Sequence, residues 1–489
     1  MMEDPHEASA TIAFLSTHEL LGRLERGDLT SHFLVGLLRE RITAIDVEGS
    51  SVQLNAVAAL HADALAIAEE RDDERANGIS RGPLHGIPVL VKDNIEAEGL
   101  PGTAGSTALV GRPARDAELV KRLRAAGAII LGSTNLSQWA NLRSVRSTSG
   151  YSATSGLVGN PWALDRSAGG SSSGSGAALA AGFAPLAVGT ETDGSIVCPA
   201  SVNGVVGLKP TVGVVPATYV VPISASQDSP GPMGRCVDDV AMLFAVLSNS
   251  SPPLRTAGTT FSVATNWRTG HPETDQLFDD IVAALRAAGA TVTNRELDVP
   301  GEQEENDELT VLLCELVDDL SEYLKGRPGA GVSSLAEVVA FEDEFRSREQ
   351  KYFGHDLFTA AIETGGRSGA AYSAARRRNL AWAIDACLKP GLEGADVVIA
   401  PAYGPAWKSD LAVGGHPGPA SVATMAPAIA GWPIMSVPMG LVQNLPVGLA
   451  VIGRPHDEWT MIDAARRLER VVAQHGALPR PLWNVPCRG

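Results

Sequence analysis

The sequence predicts an α/β protein with a largely parallel sheet, on three observations. Short, unbroken apolar runs such as "IPVLVKD" (87–93), "AIILG" (128–132) and "APLAVGT" (184–190) read as buried strands. Between them lie stretches with helical spacing, "DAELVKRLRAAG" (116–127) and "GAALAAG" (176–182), and such alternation marks βαβ units. The composition, 44% apolar and 19% charged over 489 residues, is that of a globular protein with a sizeable core.

In chain order, residues 16–80 read as a helical cover. Ser16 with Glu19 three residues on forms a capping-box pattern. "TSHFLVGLLRERITAID" (30–46) carries apolar residues at helical spacing, and "ALHADALAIAEERDDERANG" (59–78) ends on Gly78 as a cap. Residues 80–250 hold the strands above and the core motifs that carry the chemistry. Further strands are expected at "FSVAT", "ADVVIAPA", "PIMSVPM" and "PVGLAVIG", with a long helix from Glu458 to Gln474. Residues 300–390 are helical and charge-rich, an excursion that folds over the sheet as a pocket cover or a purely structural one. No internal repeat or composition break divides the chain, so 1–489 reads as a single domain.

Lys and Arg number 39 against 56 Asp and Glu, a net charge of −17. That balance argues against nucleic acid, which wants clustered cations, and against docking on anionic lipid. The start lacks the basic n-region of a secretory signal, and no run is long enough to span a membrane. The five cysteines, Cys198, Cys236, Cys314, Cys387 and Cys487, are scattered without CxxC spacing, which points to a reducing cytoplasm and away from zinc.

Chemistry concentrates in "SAGGSSSGSGAALAAGFAPLAVGTETDGS" (167–195). A flexible linker would stay polar, whereas these serines run into residues that must be buried. A phosphate loop needs Gly-Lys-Ser/Thr, and no lysine occurs between Lys121 and Lys209. Gly170-Ser171-Ser172-Ser173-Gly174 matches the nucleophile elbow G-x-S-x-G, but the preceding "GNPWALDRSA" shows no β run to support it. Downstream histidines (His271, His355, His416, His456, His475) leave a Ser-His-Asp triad arithmetically open. A fourth reading fits better: Ser195 stands where the strand "APLAVGT" gives way to the helix "VCPASVNG", a good position for a nucleophile. Backbone N–H groups of Thr192, Asp193, Gly194 and Ser195 can converge there on an oxyanion, and losing one such donor costs about 2.7–4 kcal/mol.

A serine needs a base. Lys92 closes the apolar run "HGIPVLVKDN"; it is either a strand-end lysine reaching solvent or a buried amine. Burial lowers an amine from about 10.4 toward neutrality and makes it a competent general base.

These residues, "LHGIPVLVKDN" with "GGSSSGSGAALAAG…GTETDGSIVCPAS", closely resemble the amidase signature family, the Ser–cis-Ser–Lys amidohydrolases. The likeness extends through "TAGSTAL", "AGAIILGSTNLSQWAN", "NGVVGLKPTVGVV", "SQDSPGPMGR", "PAYGPAW" and "AGWPIMSVPMG…LPVGLAVIG", roughly 15–475. It implies a large mixed, mostly parallel central sheet with helices on both sides. It implies Ser195 as nucleophile, Lys92 as base, and Ser171, behind a cis Gly170–Ser171 peptide, as the relay between them. Ser172 matches a position that hydrogen-bonds within this network. No metal or organic cofactor is implied, and a homodimer is a common family state.

Within the family, "TETDGSIVCPA" is most similar to the peptide amidase branch. The glutamine-using branch usually reads "SDTGGSIRQPA", with Gly in place of Asp193 and Arg in place of Val197. Asp193 is expected to bond neighbouring backbone or serines, so that its charge turns away from the oxyanion. Tyr403 and Trp407 are candidates to line a substrate pocket, or to pack in the core. Gln227 and Asp228 either support the nucleophile loop or form an ordinary turn, and His85 is expected to be structural. The activity implied is hydrolysis of linear carboxylic amides: peptide C-terminal amides, aryl or aliphatic amides. The alternative is a transamidase component delivering ammonia to aminoacyl-tRNA; a non-catalytic scaffold fits poorly with an intact Lys92, Ser171 and Ser195.

Overall fold

The computed structural model describes residues 11–474 except 48, 51, 112–114, 254–260, 328, 330 and 415–421. Cys487, His416 and His475 lie outside the described residues. An 11-stranded sheet runs through the chain. Its strands are β1 (Val57–Leu60), β2 (Pro88–Lys92), β3 (Ile129–Thr134), β4 (Leu186–Glu191), β5 (Val206–Lys209) and β6 (Ser229–Gly234). They continue with β7 (Ser262–Thr265), β8 (Thr291–Asn294), β9 (Val397–Pro401), β10 (Ile434–Val442) and β11 (Leu445–Ile452). The lateral order is β1-β3-β2-β4-β6-β5-β10-β11-β9-β7-β8.

The sheet is mixed, as expected, but the emphasis on parallel pairing needs correction. Parallel neighbours are confined to β3-β2-β4 and to β9-β7-β8. The centre, β4 through β11, is antiparallel because β10 and β11 form a hairpin and β6 returns against both β4 and β5. Residues 16–80 are likewise not wholly helical. The helix Thr17–Arg26 has the expected capping box, and Ser31–Ile45 and Ala64–Ala76 follow, but Val57–Leu60 pairs antiparallel with β3 as an edge strand. Its Ala-rich sequence reads helical, and the cross-strand ladder overrides that preference. The third helix stops at Ala76 with Asn77 as its C-cap, one residue before Gly78.

Parallel pairing places the C-terminal ends of β2 and β4 side by side at one edge of the sheet, where α/β proteins gather their ligand sites. Both strands are buried throughout. The helix Ser173–Ala180, which begins inside the Gly-Ser stretch, packs on β2, β3 and β4. The stretch 300–390 forms Glu302–Gly326, Leu335–Glu344, Asp356–Glu363 and Ala370–Leu380, with a break at Phe345. Its Leu316, Leu320, Val338 and Phe358 share one apolar cluster with Leu109, Trp139 and Val221 of the core.

The region before the Gly-Ser stretch also needs correction. Ala163–Ser167 is a strand, paired with Gly159–Asn160, although "ALDRS" lacks an apolar run. It belongs to a separate two-stranded ribbon, so it does not deliver the sheet-edge geometry of a nucleophile elbow.

Candidate active site

Lys92 is the last residue of β2 and is fully buried. Its Nζ lies 2.7 Å from Ser171 Oγ, 2.8 Å from Thr190 Oγ1 and 3.1 Å from the Thr190 carbonyl. Burial pushes the amine down to about 7, against the pull of the Asp228 and Glu191 carboxylates. Asn94 Nδ2 donates to the same Thr190 hydroxyl at 3.0 Å.

The Gly170–Ser171 peptide is cis. Ser137 N donates to the Ser171 carbonyl at 3.1 Å, and Ser172 N donates to the Ser195 carbonyl at 3.1 Å, so the turn is tied to the segment that holds Ser195. Ser172 Oγ donates to the Thr190 carbonyl at 3.0 Å and accepts from Thr190 N at 3.2 Å. That hydroxyl is spent on fixing the end of β4, which removes the elbow reading for Ser172.

Beyond β4 the chain turns sharply through Thr192–Ser195 into the helix Val197–Asn203. Glu191 clamps this turn: its Oε2 accepts from Ile196 N at 2.6 Å and Val197 N at 2.8 Å. Thr192 Oγ1 donates to Asp228 Oδ1 at 2.6 Å, and Asp228 Oδ2 accepts from Ile223 N and Ser224 N at 2.7 and 3.0 Å. Asp228 therefore braces the loop, and burial pushes its carboxyl up to about 6. Among the described residues, the N–H groups of Thr192, Asp193, Gly194 and Ser195 donate to nothing within the chain. Gly194 has φ +73, and a Cβ there would sit 2.5 Å from the Tyr403 hydroxyl. Only glycine fits both the backbone and the space.

Ser171, Ser195, Thr192, Asp193, Tyr403 and Trp407 all border one cavity of about 280 Å³. Leu312 of the Glu302–Gly326 helix also lines it, so the 300–390 region reaches the site. No hydrogen bond joins the Ser171 and Ser195 hydroxyls among the described residues; such contacts often tighten only with substrate present. Asp193 departs from expectation, since its carboxyl bonds the Thr424 hydroxyl rather than backbone or serines. Burial raises it above the usual carboxylate range, with Lys209 pulling the other way.

Gln227 Nε2 donates to Glu308 Oε1 at 2.9 Å, which ties the loop region to the Glu302–Gly326 helix. His85 is bonded to backbone, Nε2 at 3.0 Å from the Arg71 carbonyl and Nδ1 at 3.2 Å from Arg81 N, a structural role as expected. Sequence reasoning does not single out Asn94, Thr190 or Glu191. All three stand inside the motifs "VKDN" and "GTETDGS", so proximity to Lys92 and Ser195 is the available signal.

The family model for Amidase matches residues 44–462. The chain belongs to the amidase family. It is similar to the peptide amidase of Stenotrophomonas maltophilia, with TM-score 0.86 and 38% identity over 95% of this chain and 98% of that one. An amidase family protein of Bacillus anthracis superimposes with TM-score 0.83 and 27% identity, covering 97% of this chain and 94% of its own. One component of the glutamyl-tRNA(Gln) amidotransferase of Symbiobacterium thermophilum is 34% identical over 83% of this chain and 86% of its own length. As an amidase this chain is an amide-hydrolysing enzyme, and no helix among its described residues is long and apolar enough to cross a membrane.

Proposed function

We propose that this amidase hydrolyses the C-terminal amides of peptides, releasing carboxylate and ammonia through an acyl-enzyme on Ser195. One observation carries the chemistry: a buried amine held near 7, 2.7 Å from Ser171 Oγ, with Ser171 and Ser195 on one cavity. A neutral amine has two N–H groups and one lone pair. The Thr190 carbonyl and hydroxyl take the two N–H groups, which leaves the lone pair for the Ser171 proton.

Ser195 Oγ then attacks the substrate carbonyl as its proton passes to Ser171 and that of Ser171 to Lys92. The vacant N–H groups of residues 192–195 receive the oxyanion. The proton returns by the same relay to the leaving nitrogen, the C–N bond breaks, and ammonia departs. Water, activated by the same route, cleaves the ester and restores Ser195. Likeness to a peptide amidase over nearly the whole of both chains supports the substrate class.

The test is a panel of peptide amides, anilides, aliphatic amides and esters, assayed with wild-type and Ser195→Ala protein. Peptide amides are expected to lead and the variant to be inactive; equal turnover by both proteins overturns the mechanism. The amidotransferase relative supports a second reading, ammonia delivery to aminoacyl-tRNA, which Asp193 and Val197 oppose. Glutamine hydrolysis that requires a partner protein, with no turnover of other amides, would favour it.

A further inference from the structure

A second cavity, of about 450 Å³, adjoins the one that holds Ser195, and the two meet at Ala140, Thr192 and Ile223. Its walls are mainly apolar, with Val215, Val220, Val221 and Pro222 along one side and Tyr323 on the other. Asn94 borders it, only 3% exposed. The Asn94 Nδ2 group is engaged by Thr190, but Oδ1 has no hydrogen-bond partner among the described residues. A buried acceptor left unpaired is costly and calls for a donor.

Several other polar groups around this cavity have partners, and Arg115 Nε pairs with the Glu96 carboxylate at 3.5 Å. Asp228 accepts from Thr192, Ile223 and Ser224. The Tyr323 hydroxyl accepts from Arg327 Nη1 at 3.1 Å. Arg115 stacks on the Tyr219 ring and donates to the Gly326 carbonyl at 2.9 Å. What Asn94 Oδ1 lacks is an N–H donor, and beside apolar walls a residue of a peptide presents that donor together with an apolar side chain.

We infer that this second cavity is a substrate subsite that receives an apolar side chain of the acyl portion, with Asn94 Oδ1 accepting the backbone N–H of that same residue. The inference rests on the peptide-amide reading: when the leaving group is ammonia, only the acyl portion is large enough to enter a neighbouring cavity. Thr192 stands between the two cavities, so the scissile carbonyl meets Ser195 on one side while the side chain fills the other. Burying a leucine or phenylalanine side chain there raises kcat/KM roughly ten- to hundredfold over glycine.

The experiment compares acetyl-glycinamide, acetyl-leucinamide, acetyl-phenylalaninamide and acetyl-leucinamide methylated on the leucine nitrogen. The wild-type enzyme is expected to prefer leucine and phenylalanine over glycine by at least tenfold and to lose about tenfold on methylation. Ala217→Trp, at an exposed position on the cavity rim, fills the mouth without touching the core. It is expected to abolish the side-chain preference by cutting acetyl-leucinamide and acetyl-phenylalaninamide turnover at least tenfold more than acetyl-glycinamide turnover. Equal turnover of the glycine and leucine amides by the wild type, or a preference that survives Ala217→Trp, overturns the subsite while leaving amide hydrolysis intact. An N-methyl substrate as good as its parent overturns the Asn94 assignment. If the wild type turns over no amide in the series, the peptide-amide reading falls and the subsite with it.

Discussion

Replacing Lys92 with methionine separates the proposed base from the fold, because the same burial that suits the amine to catalysis weakens the native state. The native amine titrates at about 7 and an unfolded lysine near 10.4. Below about pH 7 both states hold the proton and the buried charge costs the native state about 5 kcal/mol. Between about 7 and 10 the unfolded chain still binds the proton while the native chain does not. Native stability therefore rises with pH across that window. Methionine removes this dependence and leaves Ser171 Oγ short of a partner, worth about 1–3 kcal/mol at every pH. The stability advantage of Lys92→Met over wild type should therefore shrink by about 3 kcal/mol between pH 7 and pH 9.5. Urea unfolding of both proteins at several pH values measures it, and the groups they share cancel in the difference. A difference that stays flat across that range would show the amine is not titrating in a buried site. Activity gives the second reading: kcat/KM for a peptide amide should fall by roughly 10²–10⁴, and retention within tenfold would remove Lys92 as the base.

Two further outcomes follow from the loop and its brace. In wild type, kcat/KM should rise with pH through about 7 as Lys92 loses its proton; Asp228→Asn removes the first of the two charges that hold this proton on, so the rise should move to lower pH. A pH–rate profile measures this, and an unmoved limb would mean Asp228 acts through Thr192 alone. Gly194→Ala should lower kcat and stability together, because the new methyl meets the Tyr403 hydroxyl and the backbone sits at φ +73. The strain of a left-handed alanine is about 1–2 kcal/mol. Adding Tyr403→Phe removes the clash but not the strain, so thermal melts of the double variant should recover only part of the loss.

Much of this architecture is legible because burial writes itself as apolar runs. The strands β2, β3, β4, β9, β10 and β11 are each built on a short run rich in apolar residues, and each forms where its run predicts. The strands that the sequence hides lack that signal for physical reasons. Ser229–Gly234 is rich in proline and glycine, residues that argue against an interior strand, yet its pairing with β5 involves only Met233 and Gly234. Thr291–Asn294 is largely exposed and so carries no apolar run. Lys92 is visible as a cation closing a buried strand. Thr190 and Asn94 are not, because Thr190 bonds Lys92 from an adjacent strand and Asn94 bonds Thr190 from the turn beyond β2, relations that sequence spacing does not encode.

The burial that neutralises Lys92 acts with the opposite sign on the carboxyls around it, and the two effects belong to one device. Glu191 and Asp193 are both held above the usual carboxylate range by burial. Lys209, fully buried and donating to the Trp432 carbonyl at 2.8 Å, faces both of them, and its amine falls only to about 8. At neutral pH Lys209 therefore keeps most of its charge where Lys92 has lost about half. The cation that remains opposes the two carboxyls nearest the 192–195 turn, and the amine that has become neutral is the one in contact with Ser171. In the proposed reaction the oxyanion then forms beside an Asp193 whose charge is muted by Lys209, Thr424 and its own raised affinity for a proton. An aspartate in that position is compatible with oxyanion chemistry because burial favours its neutral form and Lys209, pulling the other way, offsets the charge it keeps, whereas a glycine there would require neither.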